Sequence, residues 1–235
     1  MKDDALMCRL EKLAEELEDV YGRGETYAEQ PSLSGQPDTV LGTLVITILS
    51  QASTDARTGP IYRELREAYP DWGDLKRAPR EDVEDILRPG GLARQKTEYI
   101  QKALRQVGDD MGRYSLEDLR EWSDQECYDY LLDLPGVGLK TAACVLLFGL
   151  DREAFPVDTH VARISKRLGL VPAAAMPEAI GRALADKVPE GRALGLHLNM
   201  LEHGRNLCTA LNPGCDECFL APGCPASSRQ GEISP

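Results

Sequence analysis

Four cysteines near the C-terminus restrict the fold of this chain more than any other feature of its sequence. They form a C-x6-C-x2-C-x5-C frame made of Cys208, Cys215, Cys218 and Cys224. Pro-Gly pairs at residues 213–214 and 222–223 lie between them and turn the backbone, so several sulfur atoms can face one centre. We therefore predict that the four thiols hold a single metal centre.

The spacing identifies the ligands better than the metal. Thiolates are soft ligands, and four of them suit either a [4Fe-4S] cluster or a structural zinc ion. A disulfide pair is the remaining alternative, but short-loop disulfides belong to oxidising compartments. No signal-peptide pattern begins the sequence, and a total of seven cysteines leaves one thiol over. We therefore expect reduced thiols in a cytoplasmic protein.

The composition permits a substantial core but raises a question about charge. A chain of 235 residues that is 42% hydrophobic fits one large domain or two modest ones. No run approaches the roughly 18 apolar residues of a membrane span. The formal net charge is -12, whereas a protein that neutralises phosphates normally presents a basic face. A nucleic-acid partner would therefore require locally concentrated Lys and Arg residues, and weak non-specific affinity is expected.

The hydrophobic pattern predicts an all-α fold. Residues 4–21 carry apolar side chains at steps of three and four, as an amphipathic helix does. Residues 40–50 are strongly apolar without two-residue alternation, so a helix is predicted there rather than a strand. Further helices are predicted at residues 55–68, 81–88, 94–107, 115–120 and 123–133, the last begun by a capping box of Ser123 and Glu126.

The segment Leu134-Pro-Gly-Val-Gly-Leu-Lys-Thr-Ala-Ala143 predicts a helix-hairpin-helix. Pro135 and Gly136 turn the chain after a helix that ends near residue 132, and a second helix begins near Leu139. Gly136 and Gly138 would let backbone N–H groups approach a phosphate. An ordinary turn between two helices would use Pro and Gly in the same way, so this segment alone leaves both interpretations open.

Two polar residues close to the hairpin are ambiguous when each is taken alone. Asp158 lies in Val157-Asp-Thr-His160, before a helical apolar face, and is predicted to cap that helix. A capping Asp is structural more often than catalytic. Lys140 alone would be interpreted as a surface lysine.

Taken together, the motifs resemble one known family. The hairpin, Val157–His160, the tripeptide His203-Gly-Arg205 and the cysteine frame follow one another in the order found in the endonuclease III family of helix-hairpin-helix DNA glycosylases, over roughly residues 5–224. The resemblance implies a [4Fe-4S] cluster rather than zinc on the four cysteines. It also implies two helical domains: a six-helix domain of residues 33–152 that contains the hairpin, and a cluster domain of residues 1–32 with residues 153–235.

The resemblance further implies a bifunctional DNA glycosylase and AP lyase. Its substrate would be double-stranded DNA containing damaged bases, chiefly oxidised pyrimidines, or abasic sites, and we expect it to act as a monomer. Lys140 would attack the sugar C1′ atom, and Asp158 would stabilise the cationic sugar. Gly136, Gly138 and Arg205 would contact DNA, and the damaged base would be flipped out of the stack.

The sequence departs from the family pattern at the wedge that fills the gap in DNA. Ala52 stands where many bacterial members carry a Gln, and Gln51 lies one place earlier. On a helix this displacement rotates the side chain by about 100°. Leu92 corresponds to the second intercalating side chain, although a buried loop leucine is an alternative.

The loop between the first two cysteines is also unusual. Residues 209–214 are Thr-Ala-Leu-Asn-Pro-Gly, whereas the family's usual loop is basic and lies against DNA. We therefore expect weak, salt-sensitive binding carried by Arg94, Lys96, Lys140 and Arg205. Two other functions stay open: a related glycosylase that acts on mismatched adenine or thymine, and a DNA lesion sensor with little turnover.

Overall fold

The computed structural model describes residues 2–22, 37 and 39–227. Every regular element in this part of the chain is helical, which confirms the all-α class. The α-helices are α1 (Lys2–Tyr21), α2 (Val40–Ser50), α3 (Asp55–Ala68), α4 (Trp72–Arg77), α5 (Arg80–Leu87), α6 (Ala93–Met111), α7 (Asp124–Asp133), α8 (Leu139–Cys144), α9 (Thr159–Arg167), α10 (Pro177–Leu184) and α11 (Ala193–Asn206). Short 3₁₀ segments lie at Arg88–Gly90, Glu117–Glu121, Ala185–Lys187 and Ala221–Gly223, and α8 continues into a π-helical turn, Val145–Gly149.

The chain divides into two compact units. One is Glu29–Arg152, and the other combines Met1–Ala28 with Glu153–Pro235. The domain boundary predicted between residues 32 and 33 lies outside the described residues.

The apolar helix α2 lies at the centre of the Glu29–Arg152 unit. It contacts α3, α6, α8 and the π-helical turn, and nearly all of its residues are buried. A helix that is apolar on all sides must be surrounded by protein, which explains why no polar stripe marks α2 in the sequence. Its N-terminus is capped by Thr39, whose hydroxyl accepts a hydrogen bond from Gly42 N at 3.1 Å.

The other unit is formed by α1, α9, α10 and α11. The leucine stripe of α1 lies in one buried cluster with residues of α9 and α11, including Leu10, Leu17, Val161, Ile164 and Met200. Two polar contacts tie the end of α1 to α11. The Tyr21 hydroxyl lies 3.1 Å from His203 Nδ1, and Asn199 Nδ2 donates to Gly22 O at 2.8 Å.

Most predicted helices are confirmed within one or two residues, apart from the C-terminal end of α6, which extends to Met111 rather than residue 107. The capping box is present as predicted. Ser123 Oγ accepts from Glu126 N, while the Glu126 carboxylate accepts from Ser123 N at 2.8 Å. Residues 115–120 instead form the 3₁₀ segment Glu117–Glu121, and α4, α10 and α11 were not predicted as helices. Within the described ranges, no helix combines the length and apolar character needed to cross a membrane.

Candidate functional site

The predicted hairpin joins α7 to α8 through residues 134–138. Val137 N donates to Leu134 O at 3.1 Å and closes the turn. Gly136 has φ +82°, and a Cβ there would lie 2.4 Å from the ring of Tyr99. Gly138 is extended, and a Cβ there would meet no atom within 4 Å. The turn is therefore packed against the protein at Gly136 and open at Gly138.

The open side of the hairpin can receive an anion. The N–H groups of Leu139 and Lys140 belong to the first turn of α8, where a helix has no backbone acceptor for them. The positive end of the helix dipole lies at the same place. Lys140 is half-buried, and no salt bridge of Lys140 occurs in the part of the chain described. Its amine is thus available to a ligand.

Gln51 contacts the hairpin directly. It is the C-cap of α2, and its Nε2 donates to Gly136 O at 2.9 Å. The same nitrogen lies 3.4 Å from Thr141 Oγ1, so one side chain bridges both sides of the turn. Sequence reasoning missed this contact and treated Gln51 only as a candidate wedge, an assignment that stays a prediction.

Leu92 is exposed and backbone-strained. Its side chain is 52% exposed, which excludes the buried loop leucine. Leu92 has φ +53° and Ala52 has φ +49°, a left-handed conformation that non-glycine residues rarely adopt. A Cβ on Gly91 would lie 3.9 Å from Ala52 O, so the turns that carry these two residues are neighbours.

The prediction that Lys96 contacts phosphate is wrong. Lys96 is only 1% exposed, and its Nζ donates to Leu49 O and Gly90 O, each at 2.8 Å. Burial lowers the pKa of the Lys96 ammonium below its ordinary value. A side chain enclosed in this way cannot reach a DNA backbone. Arg94, by contrast, is exposed.

Asp158 caps α9 as predicted. Its Oδ1 accepts from Val161 N at 2.8 Å, and the residue is half-buried. One carboxylate oxygen is thus used by the helix end. The same helix contacts the cysteine region through Arg163, whose Nε donates to Cys208 O at 2.9 Å, and through Arg167, whose Nη1 donates to Thr209 O at 2.6 Å.

The His203-Gly-Arg205 motif combines three distinct structural roles. His203 is buried beside Tyr21, and burial lowers its pKa to about 4, so the ring is neutral at pH 7. Gly204 allows close packing, because a Cβ there would lie 2.7 Å from His160 Nδ1. Arg205 is exposed in the last turn of α11.

All four cysteines of the predicted metal site line one cavity. Its walls include Ile164, Leu168, Leu220 and the side chains of Arg167 and His203. Burial is the main cause that raises the thiol pKa values of Cys218 and Cys224. Cys208 and Cys224 raise the pKa of Cys218 further. Cys208 and Cys215 do the same to the pKa of Cys224. The four thiols are therefore close enough to influence one another electrostatically.

The arrangement of the thiols bears on which metal group fits. Among the described residues, no three His, Cys, Asp or Glu side chains are grouped as one metal ion would require. Tetrahedral zinc with Zn–S bonds of about 2.3 Å needs all four sulfurs within about 4 Å of one another. Four thiols around one shared, largely apolar cavity fit the cluster as a donor set.

Comparison with known proteins agrees with this fold. The family model of HhH-GPD superfamily base excision DNA repair proteins matches residues 45–190. Endonuclease III of Thermotoga maritima is 38% identical over 189 residues, covering 80% of this chain and 84% of that protein. A non-covalent endonuclease III–DNA complex matches with a TM-score of 0.77 and 28% identity over 98% of both chains. A trapped endonuclease III–DNA covalent intermediate matches with a TM-score of 0.78 and 27% identity, covering 96% of this chain and 98% of that one.

The helical fold and its hairpin thus define the class, a helix-hairpin-helix enzyme of base excision DNA repair. The family model covers more than half of the sequence, and endonuclease III relatives align over most of it. The chain belongs to the endonuclease III family and is a DNA glycosylase. The family resemblance found in its motifs is confirmed.

Proposed function

We propose that this glycosylase also has AP lyase activity and acts on oxidised pyrimidines in double-stranded DNA. The observation that carries the lyase proposal is the position of Lys140. It is the second residue of α8, directly after a turn whose outer side is open at Gly138. Lys140 is half-buried and has no salt bridge within the described residues.

The proposed reaction begins with Lys140, whose amine is the nucleophile. The amine attacks C1′ of the damaged nucleotide, the C1′–N bond breaks, and the base leaves with the bonding electrons and takes up a proton. Loss of the amine proton and opening of the sugar give an imine between Lys140 and C1′. The imine makes a C2′ proton acidic, its removal expels the 3′ phosphate, and water then releases Lys140.

Asp158 would stabilise the positive charge that develops on the sugar. Its carboxylate has one oxygen held by Val161 N, which fixes its orientation, and the second oxygen carries the remaining negative charge. A fixed charge costs no reorganisation during the reaction. We assign the electrostatic role to Asp158 and the nucleophilic role to Lys140.

DNA would be held by its backbone at the hairpin. Gly136 sets the turn, Gly138 leaves its outer side free of side chains, and the N-terminal N–H groups of α8 would donate to a phosphate. Arg205 is exposed and would add a cationic contact. Leu92 and the Ala52 turn would enter the duplex where the base is flipped out. We propose that the protein binds as a monomer in the cytoplasm.

Cys208, Cys215, Cys218 and Cys224 would hold a [4Fe-4S] cluster. When bound, the cluster would cross-link the segment after α11, whose described residues otherwise form only short turns. The two compact units would correspond to the hairpin domain and the cluster domain. Purified protein is expected to be brown with four iron atoms per chain. Cys224→Ser should lower the iron content, whereas Cys8→Ser, at an exposed cysteine outside the frame, should leave it unchanged.

Borohydride trapping on DNA with an abasic site tests the lyase proposal. The wild-type protein should form a covalent adduct, and Lys140→Ala should form none. Lys102→Ala, which removes an exposed lysine on α6, is the matched control and should trap normally. No adduct with the wild type, or an undiminished adduct with Lys140→Ala, would remove the lysine mechanism.

Base release at enzyme excess tests the substrate. Duplexes that carry thymine glycol, an oxidised purine, a mismatched adenine or a mismatched thymine should be compared at one salt concentration. We expect fastest release of thymine glycol. Preferential release of a mismatched base would assign the chain to another specificity, and tight binding without release of any base would identify a lesion sensor.

A further inference from the structure

Lys96 is a buried cation that no acidic side chain neutralises in the described ranges. It is 1% exposed, and its two acceptors are backbone carbonyls, Leu49 O and Gly90 O, each at 2.8 Å. Leu49 lies in the last turn of α2, and Gly90 ends the 3₁₀ segment Arg88–Gly90. The C-terminal end of a helix carries partial negative charge. The ammonium group therefore joins the negative ends of two separate helical elements.

Each of these helix ends leads directly into a strained turn. Ala52, three residues after Leu49, has φ +49°, and Leu92, two residues after Gly90, has φ +53°. Such conformations persist only where the surroundings fix them. Lys96 also contacts the second turn through its backbone, since Lys96 N donates to Leu92 O at 2.9 Å.

The space around Gly90 shows how tightly the turns are held. A Cβ on Gly90 would lie 2.9 Å from Ile61 Cδ1 and 3.7 Å from both Lys96 Nζ and Ser53 Oγ. Gly90 O therefore faces Lys96 in a region with no room for another side chain. Ser53, which follows Ala52, borders the same region, so Lys96 lies between the two turns.

We propose that Lys96 is a positioning residue that fixes the Ala52 and Leu92 turns for insertion into DNA at the lesion. This inference rests on the proposed function, in which the two turns enter the duplex. Burying a cation without a counter-charge is unfavourable for stability, so packing alone does not account for a lysine here. A displacement of about 1 Å in a group that positions the substrate can slow a reaction on the order of 100-fold. Leu92 is 52% exposed. By fixing its strained backbone, Lys96 would prevent such a displacement of the Leu92 side chain.

Insertion can be measured without any chemical step. A duplex with a tetrahydrofuran abasic analogue and 2-aminopurine beside it reports by fluorescence when side chains enter the gap. Wild type, Lys96→Met, Leu92→Ala and the double variant are compared at saturating protein. Lys96→Met keeps an unbranched side chain in the cavity but removes both hydrogen bonds.

The proposal predicts that Lys96→Met loses the fluorescence change as completely as Leu92→Ala does. The double variant should then lose no more, because both changes disable the same insertion. In single-turnover base release, Lys96→Met should be slower by on the order of 10- to 100-fold. Thr97→Val, which removes a buried hydroxyl without a hydrogen-bond partner in the next position of α6, is the matched control and should behave as wild type.

The outcomes separate this inference from the proposed function. The positioning role would be overturned if Lys96→Met retained the fluorescence change of the wild type. An additive loss in the double variant would overturn it too. A wild type without any fluorescence change would overturn it as well. Absence of borohydride trapping alongside normal fluorescence would instead refute the lyase proposal and leave the role of Lys96 intact. If Lys96→Met does not fold, Lys96→Gln, which keeps a neutral donor, supplies the same comparison.

Discussion

The ring of Tyr99 occupies the space that a side chain at residue 136 would need: a Cβ on Gly136 would lie 2.4 Å from Tyr99 Cδ2. Because Gly136 also has φ +82°, Gly136→Ala should lower the free energy of unfolding by about 3 kcal/mol. Gly138→Ala is the matched control, since its backbone is extended and its surroundings are open. It should cost about 1 kcal/mol or less but should weaken DNA binding. Denaturant unfolding and a binding titration measure both effects, and equal destabilisation by the two variants would contradict this account of the hairpin.

Gln51 should behave as part of the hairpin in stability measurements. Removing its amide leaves Gly136 O without that donor, so Gln51→Ala should cost about 1 kcal/mol of unfolding free energy. Gln51→Glu should cost more, because a carboxylate cannot donate to a carbonyl oxygen. If the Gln51 side chain acted only as a wedge, Gln51→Ala would change DNA binding and leave the unfolding midpoint in urea unchanged.

The catalytic and capping roles of Asp158 can be separated. Asn is as good an N-cap as Asp, so Asp158→Asn should keep the bond to Val161 N and change unfolding free energy by about 0.5 kcal/mol or less. Loss of the charge should slow base release by about 100-fold or more. Asp158→Ala should reduce both stability and rate. Unchanged single-turnover kinetics in Asp158→Asn would leave Asp158 with a structural role alone.

The cysteine loop offers a direct test of the charge deficit. Leu211 is 91% exposed, so Leu211→Arg should cost no packing energy. If the loop lies against DNA, Leu211→Arg should tighten binding to any sequence and steepen the dependence on log salt concentration by about 1. Leu211→Gln is the neutral control. An unchanged salt slope in Leu211→Arg would mean that this loop does not approach the backbone.

Lys96 should make stability depend on pH in the alkaline range. Burial lowers its folded-state pKa, whereas the unfolded lysine has a pKa of about 10.4. Between these two values the unfolded state binds more protons, so the Lys96 contribution to stability rises with pH and is lowest below the folded-state pKa. The difference in unfolding free energy between wild type and Lys96→Met should therefore shift in favour of wild type as pH rises toward 10.4. A pH-independent difference would show that the ammonium is not destabilised in the folded state.

Local features of the fold were predictable, and long-range contacts were not. The capping box, the hairpin and the Asp158 cap depend on residues within a few positions of one another, so their signals lie in short segments. Lys96 and Leu49 are 47 positions apart, and a lysine in an amphipathic helix is ordinarily exposed. The contact between Gln51 and Gly136 spans 85 positions. Periodicity carries no information on such pairs.

The packing partners of α1 also could not be predicted from a local sequence pattern. Its stripe predicted an amphipathic helix but not the partner, which only the family resemblance supplied. For Leu92, the family resemblance predicted a role. Its left-handed backbone could not be predicted from the sequence, because residue 92 is not a glycine. The cysteine frame was predictable as a set because its members are close in sequence.

Chain order has a consequence for how the protein reaches its folded state in a cell. During synthesis α1 emerges before the Glu29–Arg152 unit, but α9, α11 and the four cysteines emerge after it. The Glu29–Arg152 unit can thus fold while the leucine stripe of α1 still lacks its partners. On the proposed cluster assignment, a cell short of iron would accumulate chains with one folded unit and one unfinished unit.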